Sequence, residues 1–277
     1  MTEDTLRFDF GRNWASYVAR ALDPAREEAA RQSVANLVGA DDLRGRTFLD
    51  LGSGSGVFSL AAFRMGATVT SLDLDPMSVE CCKQLREAAG ASPRWTVLQG
   101  SILDDAAIAR LPQADIVYSW GVLHHTGQMW RAITLAASRV APGGLLCIAI
   151  YNRVESRVTG SDTWRRIKRT YVSQPRPIRM LMEWGYGAYK SAALLVTLRN
   201  PFKVAKAYRR ERGMSLWHDW VDWLGGYPYE FASPAEIFDF GRATLGFELI
   251  RMRTTSSLGC NEFVFRRPAS ASAPARV

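Results

Sequence analysis

The sequence contains little that would support a disulfide framework, a metal site or a membrane span. Its 277 residues include four cysteines and three histidines, and neither set has the spacing of a metal site or a disulfide pattern. The most apolar run, 191–198, is much shorter than the roughly 20 residues that cross a bilayer. The first residues also lack the basic and apolar segments of a secretory signal. These absences favour a protein of a reducing, cytoplasmic compartment with no transmembrane helix.

The sequence does contain enough apolar residues for one core, and its charge is unevenly distributed. Hydrophobic residues make up 47% of the chain, which suits a single α/β core with an added lobe. Residues 151–215 hold 15 Lys and Arg but only 4 Asp and Glu, whereas the whole chain has a net charge of +8. This basic segment predicts an acidic partner, such as a phosphorylated substrate, an anionic membrane surface or nucleic acid, unless its charges only keep two helices solvated.

A glycine-rich loop between a predicted strand and a predicted helix is the strongest local signal. Residues 48–60 read FLDLGSGSGVFSL, in which Asp50 ends the strand and Gly52, Gly54 and Gly56 follow at every second position. Glycines allow a tight turn and a close approach to a ligand, and the amides at the helix start favour a polar group. The third glycine comes one residue too early for the dinucleotide fingerprint, and an acid here would repel a pyrophosphate. The loop therefore predicts a ligand that carries an ammonium group and a ribose.

The pattern acid-x-Gly-x-Gly-x-Gly resembles the first motif of the class I S-adenosylmethionine-dependent methyltransferases. A second predicted strand, 68–73, follows at the spacing of this family, and Pro76 begins the next helix. The resemblance implies that Asp73, at the strand end, accepts the ribose hydroxyls of S-adenosylmethionine. Asp75 is an alternative for this role, or it caps the helix that Pro76 begins.

The resemblance implies that residues after the third predicted strand contact the adenine of the cofactor, and that residues after the fourth lie near its methyl group. Ser101 and Ile102 follow the strand at 95–100, and the family commonly has Asp where Ser101 stands. The fourth strand, 114–120, runs into Gly-Val-Leu-His-His, which is similar to the ubiquinone and menaquinone methyltransferase branch. An aromatic N-terminal segment that contains Trp14 either folds over the cofactor or only packs as a helix. The resemblance thus implies cofactor contacts from Asp50, Gly52, Ser53, Gly54, Gly56, Asp73, Leu74, Ser101, Ile102, Ser119, Trp120 and Trp14.

The same resemblance predicts the domain organisation. The expected fold is a Rossmann-like, seven-stranded, mostly parallel sheet with helices on both faces and a basic helical insertion after the fifth strand. We expect an N-terminal lid or helix at 1–40, a cofactor-binding core at 41–151, the inserted lobe at 152–232, a C-terminal helix and strand hairpin at 233–267, and a disordered tail at 268–277.

The inserted lobe is the part of the chain least like the general family. Its aromatic residues are interleaved with basic ones, as in helices that lie on a membrane surface, although such aromatics also pack in cores. They are Trp184, Tyr186, Tyr189 and Phe202. Because the lobe follows the fifth strand, it is expected above the acceptor side of the site. Its basic residues there, expected to guide the acceptor, are Arg165, Arg166, Lys168 and Arg169.

Candidate catalytic residues come from the lobe and from the ends of the fourth and seventh strands. His218 lies beside Asp219 and is the first candidate for a general base, with His125 and His124 after the fourth strand as alternatives. Glu262 begins the last predicted strand near the same face. The same acids and histidines, together with Glu230, lack any recognised metal-ligand spacing, so no metal is expected.

These observations predict an S-adenosylmethionine-dependent methyltransferase that acts on a small-molecule or lipid-like acceptor. O-methylation is preferred, with N- and C-methylation left open. A transfer-RNA methyltransferase of the wobble-uridine type that uses the basic lobe is one alternative, although no specific nucleic acid is expected. A protein that binds the cofactor without catalysing transfer is another. The expected location is the cytoplasm, with peripheral membrane contact left open, and the sequence does not specify an oligomeric state.

Overall fold

Seven strands form a single sheet in residues 24–196 and 216–269, the part of the chain that the computed structural model describes. The strands are β1 (Thr47–Leu51), β2 (Thr68–Asp73), β3 (Trp95–Gln99), β4 (Ala114–Trp120), β5 (Val140–Tyr151), β6 (Glu248–Arg253) and β7 (Cys260–Arg266). Their order in the sheet is β3-β2-β1-β4-β5-β7-β6. The first five strands pair in parallel, whereas β7 pairs antiparallel with both β5 and β6. The predicted seven-stranded, mostly parallel sheet is confirmed.

Helices alternate with the strands and cover both faces of the sheet. They are α1 (Pro24–Val38), α2 (Val57–Arg64), α3 (Pro76–Ala88), α4 (Asp105–Arg110), α5 (Met129–Ser138), α6 (Ser161–Ser173), α7 (Arg176–Val196), α8 (Leu216–Gly225) and α9 (Pro234–Asp239). Successive residues of a strand point to opposite faces, so Phe48 packs with α1 to α3 while Leu49 packs with α4, α5 and α9. Each such side chain contributes roughly 1.5–3 kcal/mol when it is fully buried. The apolar cores on the two faces of the sheet hold the carboxyl ends of β1, β2 and β4 together at one edge of the sheet.

Two helix starts follow directly from local sequence signals. Asp75 accepts a hydrogen bond from the Met77 amide at 2.9 Å, and Pro76 occupies the first turn of α3. Asp75 therefore caps α3, as one of the two sequence interpretations proposed. At α9, Ser233 and Glu236 form a reciprocal capping box.

The fifth strand begins earlier than the sequence pattern indicated. The turn residues Ala-Pro-Gly-Gly at 141–144 predict a strand that begins only at Leu145, but β5 pairs with β4 from Val140 onward. The pairing shifts between Ala114 and Ile116, so residues 141–144 form a bulge within the strand. A bulge of this kind contains turn residues without ending the strand, which explains why the turn signal misplaced the boundary.

Helices α6, α7 and α8 form the inserted lobe beyond the carboxyl end of β5. Its core contains Tyr171, Leu224 and Tyr229, against which Tyr151 at the end of β5 packs. No helix within the described ranges is long and apolar enough to cross a membrane.

A buried amide pair connects this region to the edge of the sheet. Asn261 on β7 donates to the side-chain oxygen of Asn152 at 2.9 Å. The Asn152 amide in turn donates to the carbonyls of Thr255 and Ser257 in the turn between β6 and β7. The chain that leaves β5 toward the lobe is thus fixed to the β6–β7 turn.

Candidate active site

The three glycines of the loop after β1 have different surroundings. All three have positive φ, at 80° for Gly52, 53° for Gly54 and 83° for Gly56. A Cβ on Gly52 would lie 2.3 Å from Val122, and one on Gly56 would lie 2.6 Å from the sulfur of Cys82. A Cβ on Gly54 would meet nothing within 4 Å. Gly52 and Gly56 therefore permit close packing inside the protein, whereas Gly54 borders the open side of the loop.

Asp50 lies beneath this loop as a buried carboxyl group. Its Oδ2 accepts a hydrogen bond from the Ser59 hydroxyl at 2.5 Å, and Ser59 also contacts the hydroxyl of Ser71. Burial is the main cause that raises the pKa of Asp50 to about 7; the hydrogen bond from Ser59 opposes this rise, and the nearby charge of Asp73 adds to it. Because no cation from the part of the chain that the structure describes contributes to this shift, a positively charged ligand at the loop would stabilise the ionised form.

Asp73 joins the end of β2 to the same loop. Its Oδ2 accepts from the Gly54 amide at 2.8 Å, and its Oδ1 accepts from the Asp75 amide at 2.9 Å. Burial raises the pKa of Asp73, while the two amide hydrogen bonds oppose that rise. Each carboxylate oxygen can accept more than one hydrogen bond, so Asp73 retains acceptor capacity toward a ligand at Gly54.

Some of the apolar residues predicted to contact the cofactor are exposed near these polar groups. The two predicted serine hydroxyls instead form hydrogen bonds within the protein. Leu74 is 46% exposed and Trp120 is 40% exposed, while Ile102 is buried. The Ser101 hydroxyl accepts from the Leu103 amide at 3.1 Å and shapes its own turn. Ser119 is fully buried, and its hydroxyl donates to a backbone carbonyl of β1 at 2.7 Å. The Ser119 hydroxyl therefore supports the end of β1 instead of presenting itself to a ligand.

The two adjacent histidines after β4 have opposite hydrogen-bonding arrangements. His125 places Nδ1 2.6 Å from the Pro228 carbonyl. A carbonyl oxygen only accepts, so Nδ1 carries the hydrogen and Nε2 carries the lone pair. In His124, Nδ1 instead accepts from the Tyr151 amide at 3.3 Å, and the ring is fully buried. Burial is the main cause that lowers the pKa of His125 to about 4 and that of His124 well below its usual value. Both rings are neutral at pH 7.

Glu262 and Glu230 make contacts that fix neighbouring segments. Glu262 accepts from the Trp120 indole at 3.0 Å, which ties the start of β7 to the end of β4. Glu230 accepts from the Met129 amide with both carboxylate oxygens and so caps α5. Within residues 24–196 and 216–269, no group of three His, Cys, Asp or Glu side chains converges on a metal position.

Three predicted site residues lie wholly or partly outside the described residues. Trp14 lies wholly outside them, and so does Phe202, which was named only as an aromatic residue of the lobe. His218 and Asp219 belong to the backbone of α8, but their side chains lie outside the described part. Their predicted roles stay predictions.

Lys168 is placed differently from the sequence expectation. It was grouped with Arg165, Arg166 and Arg169 on a basic surface, yet its side chain is fully buried while Arg166 and Arg169 are exposed. Its ammonium group donates to the Trp223 carbonyl and lies 4.0 Å from the centre of the Trp223 ring. The helical spacing of 164, 168, 171 and 172 places Lys168 on the apolar face of α6, and this periodicity is the signal that could have identified it.

Comparison with known proteins identifies the central part of the chain. Residues 49–148 match the family described as "Methyltransferase domain". A ubiquinone biosynthesis O-methyltransferase from Methylobacterium sp. (strain 4-46) is 31% identical over 131 residues, which is 46% of this chain and 50% of the relative. The chain thus spans about half the length of the curated relatives it matches.

Solved structures share the fold over a larger part of the chain. An O-methyltransferase family protein from Burkholderia thailandensis has a TM-score of 0.52 at 18% identity, covering 90% of this chain and 61% of that one. Magnesium protoporphyrin IX methyltransferase from Synechocystis PCC 6803, solved with bound SAH, has a TM-score of 0.51 at 17% identity, covering 87% and 83%. At these identities the likeness concerns the fold alone. The central part of the chain, residues 49–148, is therefore a methyltransferase domain.

Proposed function

We propose that this protein binds S-adenosylmethionine and transfers its methyl group to an oxygen of a small-molecule or lipid-like acceptor. The observation that carries the proposal is the arrangement at the carboxyl ends of β1 and β2. There, Gly54 borders open space, Asp50 lies buried with no compensating cation from the described residues, and the Asp73 carboxylate lies against the Gly54 amide. These groups match the ammonium and ribose of the cofactor, and the exposed Leu74 suits its adenine.

Some residues of the chain would bind the cofactor, and others would lie on the side of the site that faces the acceptor. When bound, S-adenosylmethionine supplies an electrophilic methyl group on its sulfonium. Asp73 and the amides of the glycine loop would bind the ribose and the amino acid end, and Trp120 would cover the side that faces the acceptor. Holding the acceptor oxygen in line with the methyl group is the main catalytic task, and it can contribute roughly 7–11 kcal/mol.

The histidines differ in their suitability as a general base. His124 is fully buried and its Nδ1 lone pair faces the Tyr151 amide, so it acts as a structural group. His125 keeps its lone pair on Nε2, but its pKa of about 4 makes it a weak proton acceptor at pH 7. His218 beside Asp219 remains the base that the sequence favours.

The relatives support a small-molecule acceptor. Those described above are methyltransferases whose names specify a ubiquinone pathway or a porphyrin. They give no support to a transfer-RNA acceptor or to a non-catalytic role.

The test is transfer of a labelled methyl group. The protein is incubated with methyl-labelled S-adenosylmethionine and an extract of cells, and the label is then located in small-molecule, lipid and RNA fractions. We expect label in the small-molecule or lipid fraction, and loss of that label with Asp73→Ala. Label in RNA, or none above the level of the Asp73→Ala variant, would contradict the proposal.

A second part of the proposal concerns the basic lobe, which would contact an anionic membrane surface that holds a lipid-like acceptor. Helix α7 leaves large apolar side chains exposed, including Leu181 at 73% and Trp184 at 65%. Apolar patches of this kind mark interaction surfaces, and Trp and Tyr beside basic residues are typical of helices at a membrane interface.

Vesicle sedimentation tests this contact. We expect binding to vesicles that contain phosphatidylglycerol, less binding to neutral phosphatidylcholine vesicles, and weaker binding by Trp184→Asp. Gln84→Asp adds the same charge at an exposed position on α3 and serves as the matched control. Equal sedimentation of the two variants would contradict a role for α7.

A further inference from the structure

The surroundings of Lys168 are aromatic on two sides. Its Nζ lies 4.0 Å from the ring centre of Trp223 and 4.9 Å from that of Tyr229. The faces of these rings attract a cation, and the Trp223 carbonyl accepts one of the ammonium hydrogens. An ammonium group has three N–H donors, so the two that do not point to this carbonyl can donate to a further oxygen.

No carboxylate neutralises Lys168 within the ranges that the structure describes. Burial is the sole cause that lowers its pKa, to about 7, and no anion opposes that change. A buried ammonium group with no counter-ion is costly, and an anionic ligand would relieve that cost. Near pH 7, moreover, the amine exists both with and without its extra proton, so it can either pair with an anion or accept a proton.

This buried amine lies close to the acceptor side of the sheet. A Cβ on Gly226 would come 3.3 Å from Nζ of Lys168 and 3.1 Å from Cε1 of His125, so both side chains border the same point. The charge of Lys168 also contributes to the lowered pKa of both histidines after β4. The amine therefore lies next to the ends of β4 and β5, where an acceptor is expected.

The cluster also reaches the surface, which a ligand requires. Tyr151 packs 5.4 Å from His125 and 6.0 Å from Trp223, measured between ring centres. These three residues are half-buried, in contrast to Lys168 itself. Aromatic rings on two sides of a buried cation suit a ligand with a planar ring and an acidic oxygen.

We infer that Lys168 pairs with an oxyanion of an aromatic acceptor, either a phenolate or a ring carboxylate, within the cluster formed by His125, Tyr151, Trp223 and Tyr229. For a phenol, the O–H bond breaks and its proton moves to the amine where the amine is neutral, or to solvent where the amine already carries its extra proton; the resulting phenolate faces the ammonium group, and no other bond changes. For a carboxylate, the ammonium group binds the anion directly. The inference rests on the proposed function, because it names the acceptor class of the same site.

Two small aromatic probes distinguish the sources of the oxyanion. 4-Nitrophenol is colourless as a phenol and yellow as a phenolate, and benzoate offers a carboxylate alone. Each is titrated into the full chain in the presence of S-adenosylhomocysteine, at a pH where free 4-nitrophenol is mainly in the phenol form. We expect the wild type to bind at least one probe, and bound 4-nitrophenol to gain phenolate absorption.

Replacing the Lys168 amine should weaken probe binding and abolish the phenolate absorption. Lys168→Met should weaken binding of the responsive probe by roughly tenfold or more, with loss of any phenolate signal. Lys83→Met removes an exposed lysine from α3, outside the lobe, and should leave both readouts unchanged. If Lys168→Met does not fold, Lys168→Gln replaces it, because its amide still donates to a carbonyl while carrying no charge.

The results separate this inference from the proposed function. Calorimetry with S-adenosylhomocysteine on the same samples reports the cofactor site independently. A probe that binds Lys168→Met or Lys168→Gln as tightly as the wild type would overturn the inference, and so would a wild type that binds neither probe. Failure of S-adenosylhomocysteine to bind the wild type would instead contradict the proposed function.

Discussion

At the scale of single residues, the glycines of the first loop show that one motif serves two purposes. Gly52 and Gly56 face Val122 and Cys82 at distances that no side chain tolerates, whereas Gly54 faces open space. Two of the three glycines therefore permit packing of the fold, and only Gly54 borders open space.

Alanine substitutions at Gly56 and Gly54 should separate the effect on stability from the effect on cofactor binding. Gly56→Ala combines strain at positive φ with overpacking against Cys82, and we expect it to lower the free energy of unfolding by about 2–4 kcal/mol. Gly54→Ala carries only the backbone strain, about 1–2 kcal/mol, but should weaken S-adenosylmethionine binding. Chemical denaturation and calorimetry measure the two effects. A Gly54→Ala protein with normal cofactor affinity would show that this position does not border the ligand.

Asp50 predicts a pH dependence for cofactor binding. Its pKa of about 7 means that the carboxyl group is largely protonated below neutral pH and ionised above it. A cationic ligand prefers the ionised form, so affinity for S-adenosylmethionine should rise as the pH increases from 6 to 8. Calorimetry across this range is the measurement, and Asp50→Asn should lose the dependence. An unchanged slope in that variant would assign the dependence to another group.

Lys168 predicts a pH dependence of stability. Its pKa falls from 10.5 in the unfolded chain to about 7 in the folded protein, so between these values the unfolded state binds more protons. The free energy of unfolding should therefore rise with pH, by up to about 1.4 kcal/mol per unit. We expect the rise between about pH 7 and 8 in urea titrations, since the cysteine thiols, whose ordinary pKa is about 8.5, ionise increasingly in the unfolded chain above that range. Lys168→Met should remove it, and an equal rise in that variant would contradict a buried amine.

At the scale of secondary-structure elements, the connection between β5, the β6–β7 turn and the lobe depends on Asn152 and Asn261. Replacing Asn261 by Ala leaves the Asn152 side-chain oxygen without its 2.9 Å donor. The Thr255 amide loses the Asn261 oxygen that accepts from it, also at 2.9 Å.

We expect Asn261→Ala to destabilise the protein by about 1–3 kcal/mol, the cost of leaving buried polar groups unpaired. Thermal and urea unfolding measure this loss. Glu248→Ala, at an exposed position on the neighbouring strand β6, is the control and should have little effect. Similar losses in both variants would indicate that the amide pair has no special role.

The elements themselves were predictable to different degrees. The alternation of strands and helices from β1 to β4 follows from hydrophobic periodicity, Gly54 and its neighbours, and helix-start signals such as Pro76. The bulge in β5 was not predictable, because it depends on pairing with Ala114. Lys168 was misplaced because composition counts its charge, while its burial depends on contacts from Trp223 and Tyr229, which are distant in sequence. Local signals thus predict the elements, whereas the surroundings of Lys168 depend on tertiary packing.

At the scale of the whole molecule, the recognised methyltransferase domain and the inserted lobe are separate parts of the chain. The match at residues 49–148 includes the first loop and strands β2 to β4, whereas α6 to α8 lie beyond it. The two parts meet where His125, after β4, faces the Pro228 carbonyl, after α8. This division explains why the proposed cofactor contacts could be inferred from motifs, while the proposed acceptor contacts had to be inferred from tertiary packing.

The most direct test of the central claim is a calorimetric titration of the full chain with S-adenosylmethionine, set beside the same titration with NAD. We predict that S-adenosylmethionine binds and NAD does not. Asp73→Ala should weaken binding roughly tenfold or more, because it removes a charged hydrogen-bond acceptor worth about 1.5–3 kcal/mol. Binding of NAD without S-adenosylmethionine, or equal affinity in Asp73→Ala, would contradict the account.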